Sequence, residues 1–126
     1  MSMFQFLDGI PIYQQIAGEL KRRLICGQLV PGAKLPSVRE IAEEFKVNPN
    51  TVQRVYMELE KEGLTYTERG VGTFLREDSF MVDRLKLEEA VKLRARFITE
   101  AKKLGLGLDE VIRDIKQEWI GGEKND

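Results

Sequence analysis

Amide and guanidinium side chains are concentrated in one short stretch, VNPNTVQRVY, at residues 47–56. Asn50, Gln53 and Arg54 follow each other there at the spacing that brings residues to one side of a helix. Such groups can make paired hydrogen bonds to base edges in the major groove of DNA, and guanidinium groups also bind phosphates. The stretch therefore predicts a surface for nucleic acid, provided that a helix presents it.

Two short helices separated by a tight turn would present these side chains. Ser37 and Glu40 have the spacing of a capping box, and apolar residues follow at helical spacing. A further helix can begin at Pro49, because proline fits the first position of a helix and Asn48 can cap it. We predict a helix-turn-helix whose first helix starts at Ser37 and whose second ends near Glu62.

The neighbouring segments predict a winged form of this motif, in a mainly helical fold. Apolar residues at helical spacing from Pro11 to Cys26 predict a preceding helix. Residues 64–67 and 73–76 are mostly β-branched, aromatic or aliphatic and flank a glycine-containing turn. They predict a small β-hairpin, the candidate wing, which completes a head of residues 1–76.

The rest of the chain, residues 77–126, is predicted to form two helices that mediate dimerisation. The first, from about Asp78 or Ser79 to Leu104, carries eight apolar residues on one broad face. At about 1.5–3 kcal/mol per buried side chain, this face should not stay in water. A second short helix should hide part of it, and the final GGEKND should fray. The residues expected at a two-fold interface are Leu87, Val91, Leu93, Phe97, Ile98, Leu104 and Trp119.

An alternative arrangement folds the long helix back onto the head of the same chain. The head is small and offers little surface to cover such a face, so a second chain is the favoured partner.

Composition excludes several classes of function. With no histidine and one cysteine in 126 residues, the chain cannot build a Ser-His-Asp or Cys-His triad or a zinc site of histidines and cysteines. We therefore expect no enzyme activity, no cofactor and no metal. No apolar run approaches the roughly 20 residues of a membrane span, and the N-terminus lacks the features of a secretion signal. We expect a cytoplasmic protein that does not contact the membrane.

The net charge of -1 does not by itself suggest DNA, because nucleic-acid binders often carry a basic excess. Phosphate contacts would have to come from local cations, and the candidates are Lys34, Lys46, Arg54, Arg69 and Arg76. Arg39 is a further candidate, because a cation is disfavoured in the first turn of a helix. A phosphate or a guanine edge would favour it there, and so would a weak surface ion pair with Glu43. Its position alone leaves both explanations open.

The segment from Pro11 to Leu75 closely resembles the winged helix-turn-helix head of the GntR family of bacterial transcription regulators. The motifs PGAKLPSVREIA, VNPNTV and GVGTF carry the resemblance. It implies a homodimer that binds a palindromic operator in double-stranded DNA. The short region after the head is similar to that of the YtrA-type branch. Members of that branch are typically repressors, often of operons for membrane transporters.

The resemblance also implies which residues contact DNA: Arg39, Asn48, Asn50, Thr51, Gln53, Arg54, Arg69 and Gly70. It thus favours a DNA contact for Arg39. The turn NPN differs from the arginine-rich turn of longer members, so base preference does not carry over. Two alternatives stay open: the tail either senses a small effector or only sets the spacing of two heads. The protein could also be an interaction module that keeps the winged fold without binding an operator.

Overall fold

The computed structural model describes residues 4–78 and 80–124. In these residues, five helices and one two-stranded antiparallel sheet are formed, which confirms the predicted class. They are α1 (Ile12–Ile25), α2 (Val38–Phe45), α3 (Pro49–Lys61), β1 (Thr65–Glu68), β2 (Gly72–Leu75), α4 (Met81–Lys103) and α5 (Leu108–Lys124). Two compact units result, which we call the head unit (Met1–Lys86) and the tail unit (Leu87–Asp126).

The start of α2 is closed by the predicted capping box. The Ser37 hydroxyl accepts a hydrogen bond from the Glu40 amide at 3.1 Å, and the Glu40 carboxylate accepts one from the Ser37 amide at 2.8 Å. These two bonds satisfy amides that the first turn of a helix leaves free. The bond from the Ser37 amide is also the main reason why the pKa of Glu40 lies below its usual range.

The turn between α2 and α3 is as tight as predicted. Lys46 ends α2 in the left-handed conformation, with φ 56° and ψ 50°. The Asn48 side-chain oxygen accepts a hydrogen bond from the Asn50 amide at 2.8 Å, and Pro49 is the first residue of α3. The turn therefore stops one helix and starts the next within Lys46, Val47 and Asn48.

Apolar side chains from α1, α2 and α3 meet in a single core of the head unit. Its most buried members include Ile16, Leu20, Ile41, Val52 and Val55. The Tyr56 hydroxyl donates a hydrogen bond to the Pro36 carbonyl, which joins α3 to the residue before the α2 cap. Burial raises the pKa of Tyr56. The core and this bond together fix the angle at which α3 leaves the turn.

The wing is an antiparallel hairpin in which Thr65 pairs with Leu75 and Glu68 with Gly72. The predicted strands included Leu64 and Arg76, whereas the observed strands lie one residue nearer the turn. Leu64 is not in a strand because its amide bonds to the Leu59 carbonyl at 3.0 Å and closes the end of α3. The hairpin is thus tied directly to α3.

The head unit extends further along the chain than the predicted head of residues 1–76. Met81 and Leu85, in the first turns of α4, are buried among its core residues. The helix begins later than predicted, after Asp78, whose carboxylate accepts a hydrogen bond from the Phe80 amide at 2.9 Å. Ser79, the other predicted start, lies outside the described residues.

The tail unit contains the rest of α4 and all of α5. Gly105, with φ 74°, ends α4 as predicted. The prediction that GGEKND frays is wrong for its first four residues, because α5 continues through Gly121 and Gly122 to Lys124. A helical glycine costs about 1 kcal/mol relative to alanine but does not break the hydrogen-bond ladder. Asn125 and Asp126 lie outside the described residues.

The apolar face of α4 is exposed in the single chain. Leu93 is 62% exposed and Leu104 is 77% exposed. The other predicted interface residues are exposed as well: Leu87, Val91, Phe97, Ile98 and Trp119. Phe97 and Ile98 are the least exposed of them, at 45% and 46%, so much of the face is left open. No helix within the described residues is both long and apolar enough to cross a bilayer.

Candidate DNA-binding surface

The exposed side of α3 carries the amide side chains that the sequence singled out. Asn50 and Gln53 are exposed, whereas Val52 and Val55 point into the core. Thr51 is half-buried, and its amide bonds to the Asn48 carbonyl at 2.9 Å. The start of α3 thus presents donors and acceptors of the type that can bind base edges in the major groove.

Asn48 has a structural role in addition to its predicted contact with DNA. Its side-chain oxygen caps α3 by accepting one hydrogen bond from the Asn50 amide. The amide nitrogen and the second lone pair of the oxygen remain for another partner. The cap therefore fixes the orientation in which Asn48 presents these groups.

Arg39 is exposed in the first turn of α2. Within residues 4–78 and 80–124 it makes no ion pair, either with Glu43 or with another carboxylate. One of the two explanations for this unusual position was a surface pair with Glu43. The other explanation, an external partner such as a phosphate or a guanine edge, stays a prediction.

Arg54 is exposed on α3 but leans towards α1. The guanidinium carbon lies 3.7 Å from the centroid of the Tyr13 ring, which is the closest cation–aromatic contact described in the chain. The helical pattern of α3 predicted that Arg54 points out of the core, but it did not predict Tyr13. The packing of α1 against α3 brings the two side chains together across 41 residues of sequence, and no local signal shows this.

The wing places two glycines and several cations near its turn. Gly70, next to the exposed Arg69, has φ 81° and so adopts a conformation that other residues rarely take. Gly72 has φ 150°, and a Cβ there would lie 2.5 Å from the Lys34 side-chain Cε. Glycine at 72 therefore lets the stem of Lys34 lie against the wing next to its turn. At the other end of the hairpin, the Arg76 guanidinium lies 5.7 Å from the Tyr66 ring.

Some carboxylates of the head unit form internal ion pairs, whereas Glu43, Glu58 and Glu68 form none among the described residues. Glu19 pairs with Arg22 and Arg23, and the hydrogen bond from Arg22 is the main cause that lowers its pKa. Glu44 pairs with Arg23, and Glu62 pairs at 2.8 Å with Lys21, a buried lysine that no sequence pattern predicted.

The predicted DNA-facing cations, in contrast, have no acidic partner among the described residues: Lys34, Arg39, Lys46, Arg54, Arg69 and Arg76. These cations thus form no ion pair, although Lys34 lies close enough to Glu40 to help lower the pKa of that carboxylate. No cluster of three or more potential metal ligands occurs in the described part of the chain.

Comparison with known proteins decides the family. The model for bacterial regulatory proteins of the gntR family matches residues 12–75, which include α1, the helix-turn-helix and the wing. The chain belongs to the GntR family. The HTH-type transcriptional repressor YtrA of Bacillus subtilis is 39% identical over 123 residues, covering 92% of this chain and 92% of YtrA. This GntR protein therefore belongs with the short, YtrA-type members.

Solved structures agree with this assignment. A GntR family transcriptional regulator from Listeria monocytogenes superposes with a TM-score of 0.79 at 40% identity, covering 89% of this chain and 98% of that one. The DNA-binding domain of AraR, solved in complex with operator ORX1, superposes with a TM-score of 0.52 at 31% identity. The match covers 57% of this chain and 90% of the AraR domain.

Proposed function

We propose that this GntR-family protein is a cytoplasmic transcriptional repressor that binds an inverted-repeat operator as a homodimer. The observation that carries the proposal is the set of exposed amide and cationic side chains around α3 and the wing. Six cations around α3 and the wing form no ion pair among the described residues, and they flank the exposed amide side chains at the start of α3. The relatives support it, since AraR is bound to an operator and YtrA is a repressor.

Each part of the surface has its own task in this proposal. The start of α3 enters the major groove, where Asn50, Thr51 and Gln53 contact base edges. Arg39 contacts a guanine edge beside them. The wing, with Arg69 and Gly70 at its tip, follows the adjacent minor groove or the backbone, and Lys34, Lys46 and Arg76 bind phosphates. These roles require binding alone and no catalysis.

The tail unit provides the second half of the proposal. Its exposed apolar residues at about 1.5–3 kcal/mol each favour burial against a second copy of the chain. A two-fold interface of this kind matches an operator with two half-sites about one duplex turn apart. A small molecule that changed this interface would change the spacing of the heads. By resemblance to the YtrA-type branch, the regulated genes form a transporter operon.

Selection of bound sequences from random duplexes, followed by sizing of the complex, tests the proposal. We expect an inverted repeat occupied by two chains. We also expect the logarithm of the binding constant to fall linearly with the logarithm of salt concentration, since phosphate contacts release counterions. A protein that retards no duplex in dilute buffer, its own promoter included, would refute operator binding. A complex with a single chain would refute the dimer.

A further inference from the structure

Arg54 on α3 contacts the ring of Tyr13 on α1, a contact to which DNA binding as proposed above assigns no role. Tyr13 lies in the first turn of α1 and is half-buried, and its hydroxyl accepts a hydrogen bond from the Gln14 side chain at 3.2 Å. Arg54 is exposed on α3, with its guanidinium carbon 3.7 Å from the ring centroid. The ring therefore supports a guanidinium that water reaches from the other side.

Two physical properties of this contact bear on binding. A cation over an aromatic face at this distance is attracted by the ring, and the planar guanidinium keeps its N–H donors at its edge, where a ligand can reach them. A free arginine side chain also loses rotamer freedom when it binds, and a contact made beforehand reduces that loss. In the described residues, no carboxylate competes for these donors.

The direction in which Arg54 leans indicates which part of DNA it would meet. Asn50 and Gln53 lie on the exposed side of α3, whereas the Arg54 guanidinium is held against α1. In a helix-turn-helix complex the recognition helix occupies the groove, and the elements beside it approach the sugar–phosphate backbone. A guanidinium held towards α1 is thus displaced from base edges towards the strand that borders the groove.

We propose that Tyr13 is a positioning residue, which holds Arg54 ready for a phosphate at the edge of the major groove. The proposal rests on DNA binding by this protein and assigns Arg54 to affinity and not to base recognition. Tyr13 touches no DNA in this account and acts through Arg54 alone. Residues that only position phosphate contacts affect all duplexes alike.

A double-mutant cycle tests the assignment. Arg54→Ala, Tyr13→Leu and the double variant are titrated with the selected operator and with a random duplex over a range of salt. Arg54→Ala should weaken both complexes by the same factor and reduce the salt slope by about one. Tyr13→Leu should weaken both by roughly two- to fivefold, the range expected for an exposed cation–aromatic contact. In the Arg54→Ala background it should have no further effect.

Matched variants separate positioning from folding and from charge. Tyr13→Phe keeps the ring and should restore most of the affinity lost in Tyr13→Leu. Arg22→Ala removes the same charge from an arginine that is paired with Glu19 and should change binding little. Thermal unfolding of each variant checks that it is folded, and Tyr13→Met provides a second aliphatic replacement.

Three results would overturn the assignment. The first is a Tyr13→Leu effect that persists undiminished in the Arg54→Ala background. The second is a loss for Arg54→Ala on the operator alone, which would make Arg54 a base contact. The third is a Tyr13→Phe variant as weak as Tyr13→Leu. Failure of the unaltered protein to bind any duplex would instead refute the proposed function itself.

Discussion

Arg39 is the residue for which we expect a larger effect on operator binding than on binding to random DNA. It is exposed at the start of α2 and makes no ion pair among the described residues. If it contacts a guanine edge, Arg39→Ala should cost about 1–3 kcal/mol of operator binding and less on a random duplex. Titration of both duplexes at one salt concentration measures the difference.

Arg39→Lys is the matched control, because it keeps the charge and removes the planar pair of donors. We expect it to bind a random duplex like the unaltered protein and to lose much of its preference for the operator. Equal losses of Arg39→Ala on the two duplexes would make Arg39 a phosphate contact.

Thr65 is a residue whose hydroxyl works against stability. It is fully buried, and its hydroxyl oxygen has no hydrogen-bond partner among the described residues. A buried polar group without a partner costs about 1–3 kcal/mol, so Thr65→Val should raise the free energy of unfolding by about 1 kcal/mol. Urea unfolding followed by circular dichroism measures the change.

Thr67, two residues along the same strand, is the control for this prediction. It is exposed, and its hydroxyl donates a hydrogen bond to Glu60 at 2.8 Å. Thr67→Val should therefore lower stability slightly, by about 0.5 kcal/mol. A Thr65→Val variant less stable than Thr67→Val would show that the Thr65 hydroxyl is satisfied in solution, for example by a water molecule.

At the scale of elements, the capping box decides where α2 begins. Ser37→Ala removes the acceptor for the Glu40 amide and should cost about 1 kcal/mol of unfolding free energy at neutral pH. Since α2 carries Arg39, the same variant should also weaken operator binding. Thermal unfolding measures the loss of stability, and operator titration on the same preparation measures the loss of affinity. An unchanged unfolding midpoint would contradict the predicted loss of stability.

Glu40, the acidic residue of the capping box, should make the stability of the protein depend on pH. The pKa of Glu40 is lowered in the folded protein, so its stabilising contribution is present above the 4.5 of an unperturbed glutamate. It is lost as pH falls through the lower folded-state value. Glu40→Gln cannot titrate, so its stability should fall less steeply below pH 4.5 than that of the unaltered chain. Equal slopes in acid would exclude Glu40 as a source of the dependence.

Element boundaries were predictable where a local signal marks them. Ser37 and Pro49 mark helix starts by their own chemistry, and both starts were predicted correctly. The strand ends were displaced by one residue because Leu64 satisfies its amide on α3, a choice that strand-forming composition does not reveal. The contact of Tyr13 with Arg54 was not predictable, because it depends on how α1 packs against α3. The predicted α5 was too short because Gly121 and Gly122 suggested a stop.

At the scale of the whole molecule, dimerisation through the tail unit is the property to test. Phe97 is 45% exposed on the apolar face of α4. Phe97→Asp would bury an unpaired carboxylate in the proposed interface, so the chain should sediment as a monomer. Its affinity for the inverted repeat should fall at least tenfold, about 1.4 kcal/mol, because one head must then bind alone.

Thr99→Asp is a suitable control for that variant. At about 100° per residue, Thr99 lies on the opposite side of α4 from Phe97 and is also exposed. It introduces the same charge in the same helix and should leave the dimer intact. A monomeric Thr99→Asp protein, or a dimeric Phe97→Asp protein, would contradict an interface on this face.

The internal pairing of Glu19, Glu44 and Glu62 has a practical consequence for finding similar proteins. Each of these carboxylates lowers the isoelectric point of the chain, although its charge is balanced locally within the head unit. A genome survey that ranks small proteins by isoelectric point would therefore pass over this one. A search that counts only arginines and lysines lacking a nearby acid would retain it.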